Sequence, residues 1–198
     1  SIQKIKYLDR VFKNVFTPVI RLDVTNSSPS INYSFVAEKN TNIFTVSQQR
    51  LINNHDYIFD VFSNDGDMEI IDKVYSFNHK TLENNAEWAL GIVTGDNNKY
   101  IDDKKSYDNE PIMTGKDIRR FIASKPKSFI KFEAKKFQQI APEHKYRISE
   151  KLIYKFISKD LVFSYDNNMR LTLNSANILI PKIPEYPIKT VLALFNSS

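Results

Sequence analysis

The apolar residues of this chain arrive in short runs, and almost every run is cut off by a cluster of Asn, Asp, Gly, Pro or Ser. That punctuation leaves room for many short strands and few helices. No stretch reaches the ~18 consecutive apolar residues that a membrane-spanning helix needs, so no membrane partner is expected. With 41% apolar and 13% aromatic residues, the chain has enough side-chain mass for a packed core.

Along the chain, Ile5, Leu8, Phe12 and Phe16 recur at helical spacing and predict a helix over 2–16. Val19 to Val24 reads as a buried strand, and Ile31, Tyr33 and Phe35 alternate as a second strand returning in a hairpin. Residues 48–52 open a polar connector, 57–62 read as a strand, and 68–75 have a helical period. Trp88–Val93 and Lys99–Ile101 read as two strands around a polar loop. A helical turn is expected over 116–121 with Thr114 as its cap. Residues 152–157 and 161–165 read as strands, and Leu171 and Leu173 continue the same sheet. Pro181, Pro184 and Pro187 interrupt regular structure, and a closing helix covers 188–195. The fold class is α/β (α+β), with mixed sheets of short strands and few helices.

Charge is distributed unevenly. Residues 1–103 hold 10 Lys/Arg against 14 Asp/Glu, residues 104–159 hold 15 against 6, and residues 160–198 hold 3 against 3. A basic block within an otherwise near-neutral chain is a candidate footprint for a polyanion. The rival reading is a solvated lysine-rich face on a protein-interaction or scaffold module.

Several kinds of chemistry find no support. Cysteine is absent, which excludes disulfides, thiolate metal sites and thiol catalysis, and fits a cytoplasmic location. The four glycines have no phosphate-loop spacing. His55, His79 and His144 stand far apart, and the pairs Asp65/Asp67 and Asp102/Asp103 sit in turn-like segments where Asp is favoured for local hydrogen bonds. Glu133-Ala134-Lys135 fits the tail of a nuclease motif but has no strand-borne partner before it. No catalytic or metal-binding residue is expected.

Four segments together resemble one family. Asp9–Leu22 is similar to the end of the catalytic domain of adenine-N6 DNA methyltransferases. Glu87–Ile101 resembles the "GI.TG.N.aFi" signature that opens their specificity region, and Glu110–Phe121 the "P.l.G.di.ry" element. Glu150–Ile157 with Leu161–Asp166 resembles the "pKi.yr.i...l..a.D" strand pair. The family is the TaqI-like C-terminal specificity domain of type IIG restriction enzymes and related methyltransferases. Lys155 stands where the family usually has Arg, and those two residues bind differently. The (N/D/S)-P-P-(Y/F) motif and the cofactor loop are absent from these residues.

The resemblance implies a target-recognition-domain fold and a non-catalytic fragment of a longer enzyme. It implies residues 1–45 as the remnant of a methyltransferase catalytic domain, 46–85 as connector and 86–198 as target recognition domain. The implied partners are double-stranded DNA and an upstream methyltransferase domain. This fragment needs no cofactor, and S-adenosylmethionine is implied only for the parent. The parent is then an adenine-specific type II enzyme, with or without endonuclease activity. The residues it points to for DNA contact are Thr94, Asn97, Asn98, Lys99, Lys116, Arg119, Arg120 and Lys155. Asn suits adenine and Arg suits guanine in the major groove, and lysines suit phosphates.

Overall fold

The computed structural model describes residues 1–54 and 58–197, the side chains of Asn53 and Asp65 aside. Its sheets are mixed and its helices few and short, an α+β fold. The chain forms two compact units, Ser1–His79 and Lys80–Ser198.

In the first unit, β1 (Ile2–Asp9), β2 (Val19–Val24), β3 (Ser34–Lys39) and β4 (Asn42–Ser47) form one sheet in the order β2-β1-β3-β4. The expected helix over 2–16 is therefore a strand. Ile2, Ile5 and Tyr7 favour extended backbone, and β1 has a partner on each side, β2 antiparallel and β3 parallel. The helical recurrence was not a core stripe, because Phe12 and Phe16 stay 61% and 78% exposed. Strand β2 forms as expected but is not buried, since it lies at the sheet edge with Ile20, Leu22 and Val24 about half exposed or more. The expected β2–β3 hairpin is replaced by a β3–β4 hairpin.

The core of this unit gathers Ile5, Phe35, Ala37, Val46, Leu51 and Val61. Leu51 comes from α1 (Gln48–Asn53), where a connector was expected. Residues 58–62 are irregular rather than a strand, and Tyr57, like His55, lies outside the described residues. Helix α2 (Asp65–Ser76) starts a turn earlier than its apolar period. Asn64 accepts from the Asp67 N–H at 2.9 Å, and the Asp67 carboxylate accepts from the Asn64 N–H at 3.1 Å. That reciprocal cap satisfies two donors which a helix start leaves unpaired.

The second unit packs two sheets. One contains β5 (Ala86–Ala89), β13 (Ala176–Pro181), β10 (Lys151–Lys155), β11 (Phe163–Asp166) and β8 (Phe121–Ile122), in that order. The other contains β12 (Leu171–Thr172), β7 (Glu110–Met113), β9 (Ser128–Ile130) and β6 (Ile101–Asp102). Side chains alternate between the faces of a strand. Leu152 and Leu179 accordingly face the closing helix α5 (Ile188–Asn196) with Val191 and Leu192. Ile178 and Ile180 cluster instead with Ile112, Ile130 and Leu171 of the second sheet. Burying Val191 and Leu192 contributes about 1.5–3 kcal/mol each.

Three expectations are corrected here. Lys99–Ile101 is not a strand: Asn97–Tyr100 is a single helical turn, α3, whose Lys99 N–H donates to the Asp96 carboxylate, and β6 begins only at Ile101. Leu171 and Leu173 do not continue the sheet of β10 and β11, because Leu171 pairs with Ile112 of β7. Finally, β13 was missed, because prolines nearby suggested a break. Pro181 sits at the strand's end, where its missing N–H costs little.

Candidate nucleic-acid interface

Asn97 at the start of α3, turn 114–116, Ser128, the end of β10 with residues 155–157, and turn 173–175 meet around one open groove of about 740 Å³. Close backbone approach makes this convergence possible. A Cβ on Gly91 would stand 2.2 Å from the Leu173 carbonyl oxygen, so only glycine admits the neighbouring turn. The Ile92 N–H then donates to Thr172 O at 2.7 Å, and the Asn174 N–H to Ile92 O at 3.0 Å. Gly115 touches the same turn, its N–H donating to Ser175 Oγ at 2.9 Å.

Thr94 is 4% exposed, and its hydroxyl donates to Asn97 Oδ1 at 2.6 Å. It orients Asn97, which lines the groove with Lys116, Lys155, Asn174 and Ser175. No carboxylate lies among the groove's lining residues.

An adjoining cleft of about 340 Å³ shares Thr114, Lys116 and Ser128 with the groove and adds Arg119, Lys125 and Lys127. Its one carboxylate, Asp117, accepts from the Thr114 N–H at 2.8 Å and from the Thr114 hydroxyl at 2.7 Å. The expected helical turn over 116–121 is thus one tight turn, with Asp117 rather than Thr114 as the capping acceptor. Among the described residues, no carboxylate lies within ion-pair distance of Lys116, Lys125, Lys127 or Lys155. The groove is thus lined by cations without a carboxylate, and the cleft beside it sets four cations, Lys116, Arg119, Lys125 and Lys127, against the single carboxylate of Asp117. A net positive lining of this kind favours an anionic partner.

The sequence-based residues divide. Asn97, Lys116, Arg119 and Lys155 line the two clefts, with Thr94 behind Asn97. The Arg119 guanidinium also donates to Lys116 O at 2.9 Å and Ile118 O at 3.2 Å, so it braces its own turn. Asn98 and Lys99 are exposed on α3 without lining either cleft, and the Lys99 ammonium lies 5.1 Å from the Tyr100 ring centroid. Arg120 donates to Asn196 O at the end of α5, at 3.3 Å. Phe121 follows at φ 71 with the Ile122 N–H bonded back to Arg120 O, a strained γ-turn. Sequence reasoning missed Lys125, Lys127, Ser128, Asn174, Ser175, Phe156 and Ile157. The available signals were two lysines flanking Pro126 and a polar Asn-Ser pair between apolar runs.

The charged pair of the last motif has a structural task. Lys151 and Asp166 are register partners, both fully buried, with 2.7 Å between ammonium and carboxylate. Lys151 also donates to Tyr146 O at 2.7 Å.

Among the candidate acids and histidines, Asp67, Asp102 and His79 are engaged locally. Asp67 caps α2, and Asp102 accepts from the Asn109 amide at 3.1 Å. His79 bonds Phe77 O at 2.7 Å, and His144 lies on the exposed surface of α4 (Glu143–Tyr146). Among the described residues, no group of three or more His, Asp or Glu side chains is gathered to hold a metal ion. Nor is any helix among them long and apolar enough to cross a membrane.

Comparison with known proteins finds two similarities. Over 109 residues, 55% of this chain, the sequence is 29% identical to the Type II methyltransferase M.VspI of Vibrio sp. (strain 343). The aligned region spans 27% of that relative. The model of the TaqI-like C-terminal specificity domain matches residues 110–198, which contain every cleft-lining residue except Asn97. By that match, residues 110–198 of this chain are similar to a TaqI-like C-terminal specificity domain.

Proposed function

We propose that the second unit reads a sequence in double-stranded DNA, as the target recognition domain of a type II restriction-modification methyltransferase. The observation that carries this reading is the carboxylate-free groove with its adjoining cationic cleft. Lys116, Lys125, Lys127 and Lys155 suit phosphates, which supply affinity and position. Asn97 and Asn174 suit base edges. Arg119 lines the cleft beside Lys116, Arg120 is exposed next to it, and both guanidiniums are held partly by backbone carbonyls. Asn98 and Lys99 would meet DNA only where it runs past α3.

The reading extends to the parent enzyme. Its methyltransferase domain would act on adenine N6, bind S-adenosylmethionine, and precede these residues in the same cytoplasmic chain. Residues 1–45 would close that domain, 46–85 would connect, and 86–198 would clamp the duplex. The fragment itself would perform no chemistry.

The test is a salt titration of duplex DNA binding by this chain. Affinity is expected to fall steeply with salt, and Lys116→Ala/Lys125→Ala/Lys127→Ala to flatten the log–log slope by about 0.9 per lost phosphate contact. Arg119→Ala/Arg120→Ala should flatten it less. An unchanged slope and affinity in the triple variant would overturn the proposal in favour of a protein-interaction module.

A further inference from the structure

Phe156 is 59% exposed and Ile157 is 88% exposed, yet both line the groove beside Asn97, Asn174, Lys116 and Lys155. They do not belong to a loose tail. The Phe156 N–H donates to Ser175 O at 3.2 Å, and the Lys155 N–H to Val162 O at 3.3 Å, so the backbone that carries them is held on both sides. An apolar pair presented to water beside uncompensated cations is poorly suited to a small free anion. It suits a polyanion that carries apolar groups on its edges.

We propose that Phe156 and Ile157 form an apolar base-reading tip that packs against thymine 5-methyl groups in the major groove. The inference rests on the groove being a duplex seat. Among the groups that a base pair presents in the major groove, the thymine methyl is the apolar one; the others are hydrogen-bond donors and acceptors. The flanking amides of Asn97 and Asn174 serve those polar groups, and Lys116 and Lys155 hold the backbone alongside. The tip therefore contributes to the choice of sequence rather than to charge neutralisation.

The experiment uses the full 198-residue chain. A duplex is selected from a randomised pool, then compared with the same duplex carrying uracil for thymine, which removes only the methyl groups. The wild-type chain should bind the uracil duplex about fourfold more weakly per contacted methyl. Phe156→Ala/Ile157→Ala should bind both duplexes alike, with an unchanged salt slope and unfolding midpoint. If wild type and variant show the same thymine-to-uracil ratio, the inference fails. That outcome includes a variant weakened equally on both duplexes, as a wedge between base steps would produce. A wild-type chain that binds no duplex at any salt would instead overturn the underlying reading of the groove, and the tip with it.

Discussion

Lys151 is a residue that a sequence reader would assign to the surface, because lysine is almost never fully buried without a partner. Its burial pushes the ammonium below the ordinary lysine value, and the Asp166 carboxylate beside it acts in the opposite direction. Asp166 also accepts the Arg170 N–H at 3.1 Å, so the pair anchors the turn that leads from β11 toward β12. Removing one partner of a buried pair leaves an uncompensated charge. Lys151→Met should therefore destabilise the second unit by about 3–5 kcal/mol, read as a shifted midpoint in urea unfolding. Lys151→Met/Asp166→Leu should recover part of that loss, although the backbone donors of Asp166 would still lack an acceptor. The motif letters were legible in the sequence, but their pairing was not. Two charges 15 positions apart become neighbours only through antiparallel register.

At the scale of elements, the groove exists because short segments from distant parts of the chain touch backbone to backbone. Gly91 is the tightest of these approaches. Gly91→Ala would force a Cβ to within 2.4 Å of the Leu173 carbonyl carbon, and backbone cannot yield as a flexible side chain can. The expected cost is about 1–3 kcal/mol, with weaker DNA binding as turn 173–175 is displaced. Urea unfolding and anisotropy with a duplex check the two parts separately. The glycine-bearing motifs were recognisable as letters, and the strands around them followed from short apolar runs. Turn 173–175 was not foreseen, because Asn174 and Ser175 look like any polar link until β12 and β13 are known to lie in different sheets.

At the scale of the whole molecule, each unit carries carboxylates tuned by lysines across its sheets. Lys4 and Lys6 hold Glu38 below the ordinary carboxylate value in the first unit. In the second, Lys182 and Lys145 do so for Glu87, and Lys131 for Asp108. For a carboxylate depressed on folding, the unfolded chain binds more protons between the two values. Its contribution is complete above the unfolded range of about 3.9–4.3 and is lost as pH falls through the folded values. Unfolding midpoints should be flat from neutral pH down to about 5 and fall below it, and high salt should reduce the fall because these groups face solvent.

Short apolar runs and turn clusters by themselves determined the class of fold and the near absence of long helices, and the basic block contains most of the cations of the proposed interface. These are local properties, set by backbone preference and composition. Tertiary structure decided what local preference cannot. Residues 2–9 became a strand because partners on both edges of β1 satisfy its backbone, which outweighed a helical recurrence whose later members, Phe12 and Phe16, pack into no core. Likewise, Lys125, Lys127, Phe156 and Asn174 became neighbours of Lys116 through sheet order, since proximity across a fold depends on register and packing rather than on distance along the chain.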